Sequence, residues 1–175
     1  LVVYEALEAL RRGAPLSNSA GPLLLKLVDP SHALYQGRQE VTVDFLIGHV
    51  LVTLTDVGLP EGAAPVILKE LQRDKPYVRP AVIRAVGALG EAGAPAVAQL
   101  VTLLKEEKVW TPILPFLHDS FPTVEAIRAL GRIGPAAKAA IVVLNRLAER
   151  QADTISEIGV LEAQAARKAL SRIQG

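Results

Sequence analysis

Leu89-Gly90-Glu91-Ala92-Gly93 returns in the same frame as Leu130-Gly131-Arg132-Ile133-Gly134; an earlier copy reads Leu54-Thr55-Asp56-Val57-Gly58 and a frayed later one Leu170-Ser171-Arg172-Ile173. The leucines stand 35, 41 and 40 residues apart. A repeat of that length, built on a helical pattern, marks an all-α chain folded as an α-solenoid rather than a closed globule. About four and a half helix pairs fit the 175 residues, with 1–175 read as one such domain.

Outward from the glycine motif the unit explains itself. Val82, Ala85, Val86 and Leu89 recur at helical spacing, after which Gly90 and Gly93 let the backbone leave the helix. Pro95 stands where the next apolar run starts, a place where a missing N–H costs nothing. Val97, Leu100, Val101, Leu103 and Leu104 then carry a second stripe. The next copy repeats the order: Ala126, Ile127, Ala129 and Leu130, then Pro135, then Ile141, Leu144 and Leu147. Small residues at Ala85, Ala88, Ala126 and Ala129 allow one helix to approach its neighbour closely. Gly93 and Gly134 are expected to hold conformations that disfavour a side chain.

With Val78-Arg79, the alanines, the Leu-Gly-x-x-Gly turn and the Pro-started second helix in view, the chain resembles HEAT-repeat proteins. The nearer likeness is to the bacterial HEAT-like type of phycobilisome lyases, clearest in residues 77–150. Val78-Arg79 lies about one turn further from Leu89 than that family's spacing. The resemblance implies architecture; the same fold carries scaffolds, lyases, hydroxylases and nucleic-acid enzymes.

The outer stretches follow the same frame. Residues 1–12 read as a first helix with Val3, Leu7 and Leu10 on one face, and Ser17-Asn18-Ser19 lengthens the turn before Leu23 to Val28. Residues 41–54 favour a strand by propensity, but Leu54 and Gly58 are in register with Leu89 and Gly93, and register overrules propensity. A last helix is expected from about Thr154 to Ile173, giving about nine helices in antiparallel pairs.

Composition narrows the function classes. Half the residues are apolar but only 4% aromatic, which suits interhelical packing of Leu, Val, Ile and Ala. A formal net charge of +1 argues against a nucleic-acid partner. The chain has no cysteine, hence no disulfide framework and no thiolate chemistry. Its longest apolar run, Phe45 to Leu54, falls short of the roughly 20 residues that span a bilayer, so no membrane insertion is expected. Compartment and oligomeric state are left open. Beginning at Leu1 and lacking methionine, the chain reads as a processed product or a segment of a longer one.

Two segments interrupt the repeat. Pro30 to Glu40 carries His32, Tyr35 and Gln36; Lys105 to Pro122 carries Trp110, Ile113, Phe116 and His118-Asp119 between Pro112, Pro115 and Pro122. Two readings of the second stand: its rings cover the groove between copies, or they anchor a partner. His49 follows Asp44 by five residues, about 140° round a helix, and reads as a polar helix position rather than half of a metal pair. No metal site, cofactor or catalytic residue is expected. The third motif position reads Asp56, Glu91, Arg132, Arg172, and a second column His49, Arg84, Glu125, Ala165; their sign changes predict inter-repeat ion pairs.

The function expected is a non-catalytic protein–protein interaction or scaffold module holding a protein or peptide. Its second helices, about 62–73, 94–107 and 135–150, present Lys69, Glu70, Gln72, Gln99, Lys105, Lys138, Asn145 and Arg146, a mixture of signs suited to a protein surface. The partner-binding candidates are Trp110, Ile113, Phe116, His118, Lys69, Gln99 and Arg146. The alternative, implied by the resemblance alone, is a lyase or lyase subunit acting on a tetrapyrrole-carrying protein. Hydroxylases of this kind need His-Glu pairs, which the chain lacks, and HEAT-like DNA glycosylases need a strongly basic face.

Overall fold

The computed structural model describes residues 2–13, 18–73, 75, 78–106, 121–149 and 157–175. Every regular element among them is helical. In chain order the α-helices are α1 (Val2–Arg12), α2 (Gly21–Lys26), α3 (Glu40–Val57), α4 (Ala63–Gln72), α5 (Arg79–Ala88), α6 (Val97–Lys105), α7 (Pro122–Ile133), α8 (Ile141–Glu149) and α9 (Glu157–Gln174). The chain divides into two compact units, Leu1–Ala85 and Val86–Gly175.

In the first unit α3 is the central element, packed by α1 and α2. Its β-branched run is helical throughout, and Ile47, Val50, Leu51 and Leu54 are fully buried. Burial on nearly every side outweighs the strand preference of Val41, Val43, Val50, Val52 and Thr53. The helix stops where the repeat motif says it should. Gly58, at φ 105°, donates its N–H to the Leu54 carbonyl at 3.0 Å, so the last motif residue closes on the first.

The second unit repeats this stop. Gly134, at φ 73°, donates its N–H to the Leu130 carbonyl and ends α7. The copy between departs from expectation: α5 ends at Ala88, and the positive φ falls on Gly90 (57°), not on Gly93. Gly93 is needed for another reason. A Cβ there would meet the Val86 carbonyl oxygen at 2.7 Å and Ile133 at 3.2 Å. The turns are also longer than a glycine bend, being 3-10 runs over Gly90–Ala96 and Gly134–Ala140. Pro95 and Pro135 lie inside these runs, ahead of α6 and α8.

The core of this unit is the apolar face read from the repeat. Val97, Leu100, Val101 and Leu104 of α6, Ala126, Ile127, Ala129 and Leu130 of α7, and Leu144 and Leu147 of α8 are all buried. Two glycine contacts set the helix spacing: a Cβ on Gly87 would lie 2.8 Å from Ala129 Cα, and one on Gly131 would lie 2.8 Å from Ala169 Cα. Ala129 and Ala169 are themselves 40 residues apart, the repeat offset. Ala88 is exposed and takes no part in this packing.

Candidate functional site

Polar side chains of the first unit are committed to joining helices. Asp56, at the end of α3, accepts from Arg11 Nε of α1 at 2.9 Å and from an Arg84 guanidinium nitrogen of α5 at 3.0 Å. The expected inter-copy pairing thus exists, but it joins the Asp56 column to the Arg84 column of the next copy. Arg73 makes a second tie, donating to Glu70 Oε1 at 2.5 Å and to Asp44 Oδ1 at 3.3 Å. Glu70, expected on an exposed partner-facing surface, is instead buried. Burial pushes its carboxyl pKa up, against the opposing pull of Arg73.

The first interrupting segment is a packed turn. His32 Nδ1 accepts from the Leu34 N–H and caps the 3-10 turn Ala33–Tyr35. Tyr35 is buried, and its hydroxyl donates to the Leu27 carbonyl at 2.6 Å. Desolvation pushes its phenol up to about 12. His49, read from sequence as an ordinary polar position, is 1% exposed and lies edge-on to Tyr4 at 4.8 Å and Phe45 at 4.6 Å between ring centroids. Desolvation lowers its pKa to about 4.

The second unit holds a site of different character. Between α7 and α9 lies an open cleft of about 320 Å³, walled by Arg128 and Arg132 on one side and by Lys168 and Arg172 on the other. Gly131 and Ala169 form its floor, and the close approach of these two residues keeps the walls near each other. Leu161, Gln164 and Ala165 complete the described lining, and none of these described residues is a carboxylate. Arg128 donates to Glu125 Oε1 at 2.8 Å. Among the described residues no carboxylate forms an ion pair with Arg132, Lys168 or Arg172. Like charges one turn apart on a helix disfavour it by about 0.2–0.5 kcal/mol, and the cleft carries two such pairs.

The signal for this cleft was present in the repeat. Arg128 and Lys168 are 40 residues apart, as are Arg132 and Arg172, matching the step from Leu130 to Leu170. Arg132 and Arg172 hold the third motif position, where the sequence predicts pairing of Arg132 with Glu91; Arg128 and Lys168 stand outside the motif, and nothing in it marks them. Of the residues singled out for partner binding, Lys69 lies exposed on α4, Gln99 on α6 and Arg146 on α8. Trp110, Ile113, Phe116 and His118 lie outside the described residues.

Fold and side chains together define an all-α protein with an open basic cleft in its second unit. No protein-family model matches the sequence, and no curated protein or solved structure shows significant similarity to it. No group of three or more His, Cys, Asp or Glu able to hold a metal ion occurs among the described residues. No helix among them is long and apolar enough to cross a membrane.

Proposed function

We propose that this chain is a non-catalytic protein-interaction module, a HEAT-like helical stack that holds a protein or peptide on exposed helix surface. One observation carries the reading: the close approach of Gly131 to Ala169 stacks α7 on α9, and that stacking leaves a charged, solvent-open surface formed by side chains of both helices. Such a surface offers recognition without an enclosed reaction chamber. Mixed polar residues on the second helices, Gln99 and Arg146 among them, extend the surface a protein partner would use.

The test is capture from an extract of the source organism, followed by reconstitution of the captured protein with the purified chain and calorimetric measurement of Kd. Replacing Lys69, Gln99 and Arg146 by alanine is expected to weaken that Kd about tenfold, near 1.4 kcal/mol, with the thermal midpoint held. Failure of every captured protein to bind on reconstitution, or a small molecule consumed catalytically by the purified chain, would overturn the reading.

A further inference from the structure

We infer that the cleft between α7 and α9 binds an acidic peptide segment of the partner, the carboxylates of Asp or Glu side chains seated among Arg128, Arg132, Lys168 and Arg172. The inference rests on the interaction reading above and names the chemistry of what is held.

Four cations converge on one cleft of about 320 Å³, and none of the described lining residues is acidic. Helix ends explain only half of this arrangement. Arg132 and Arg172 lie in the last turns of α7 and α9, where a cation complements the helix dipole. Arg128 and Lys168 stand a full turn earlier on the same faces, where that benefit has faded; Arg128 is paired with Glu125, while Lys168 has no carboxylate partner among the described residues and adds repulsion to Arg172. A bound anion relieves the repulsion among Arg132, Lys168 and Arg172.

The form of the site selects the anion. Phosphate groups favour helix N-termini and backbone nests, where free N–H groups converge. The four cations stand in the C-terminal halves of both helices, away from either N-terminus, so the donors they offer are side chains. Three of the four are arginines, whose planar forks match carboxylates two bonds at a time. Leu161, Ala165 and Ala169 supply apolar surface beside the cations, fit for the carbon stems and backbone of a peptide. A nucleic acid would need phosphate contacts along a longer basic track, and the chain's formal net charge is only +1.

Fluorescence anisotropy with a fluorescein-labelled decapeptide alternating Glu and Ala tests this on the full chain. A Lys and Ala decapeptide and a labelled oligothymidylate run beside it. Saturable binding of the acidic peptide is expected, weakening as salt is added. The double variant Arg132→Glu/Lys168→Glu should lose affinity at least about tenfold. Arg12→Glu/Lys26→Glu makes the same net-charge change at exposed positions outside the cleft and should bind as the native chain does. Helical circular dichroism checks each fold, and Arg132→Gln/Lys168→Gln replaces the reversal variant if the latter unfolds. No saturable binding by the native chain, or undiminished binding by the cleft variant, overturns the inference. Equal loss in both variants reduces the effect to net charge and overturns it too. Loss confined to Arg12→Glu/Lys26→Glu moves the peptide to the unit Leu1–Ala85, sinking the cleft inference while leaving the interaction reading standing. Tighter binding of the oligothymidylate would sink both.

Discussion

His49 is a titratable ring held in an apolar cage between Tyr4 of α1 and Phe45 of α3. Its pKa, near 6.5 in the open chain, falls to about 4 in the fold because burial removes water from the charged form; Glu8 opposes that shift and Arg11 adds to it. Between these values the unfolded chain binds the proton that the folded chain refuses. Stability should therefore be full above about pH 6.5 and decline towards pH 4, by about 3 kcal/mol at most from this group. His49→Phe keeps the ring packing and removes the proton site. Urea unfolding at pH 7 and at pH 4.5 should show a smaller acid loss in the variant than in the native chain. An equal loss in both would place the acid sensitivity elsewhere.

At the scale of the element, two glycines of α7 and its turn act by different physics. Gly134 holds φ at 73°, and a Cβ there would only touch the Arg172 carbonyl oxygen at an ordinary 3.9 Å, so Gly134→Ala strains the backbone without crowding a neighbour. Gly131 sits in ordinary helix, yet its added Cβ would press on Ala169 Cα and Cβ at 2.8 and 2.9 Å. Backbone atoms of α9 cannot yield as a flexible side chain does, so α7 and α9 must part. Both Ala variants are expected to lose about 1–3 kcal/mol in chemical denaturation. Only Gly131→Ala should also disturb the cleft, weakening the acidic peptide while Gly134→Ala leaves its affinity unchanged. If the two variants bind alike, the spacing of α7 and α9 does not set the site.

The whole molecule places its acid-sensitive polar groups unevenly. Among the described residues the buried groups whose acid-range pKa burial shifts, His49 and Glu70, both lie in the unit Leu1–Ala85. Glu70 has a raised pKa, so its own contribution has the opposite sign to that of His49: it disfavours the fold as pH rises past the carboxylate range and eases as pH falls. The window of His49, between about pH 6.5 and about 4, lies in the range of mild acidification. Hydrogen exchange, corrected for intrinsic pH dependence, should show α3 losing protection between pH 6.5 and 4.5 before α7 and α9 do. Uniform loss across all three helices would mean that His49 does not govern the response.

Much of this architecture was legible in the residues. The Leu-to-Gly spacing foretold where α3 and α7 stop, because the last glycine's N–H returns to the first leucine's carbonyl four residues back, a purely local act. The helical state of Glu40–Val57 was legible through register, although its β-branched residues pointed the other way. Other features are decided only when distant segments meet. Neither the spacing of Glu70 nor that of His49 says that α1, α3 and α4 will enclose them, since burial is a property of the neighbours. Gly93 looked like a left-handed turn residue and proved to be a residue with no room for a Cβ beside Ile133. The basic cleft combines both causes. The 40-residue offsets align its cations in sequence, but only the close approach of Gly131 and Ala169 turns two columns of charge into one site.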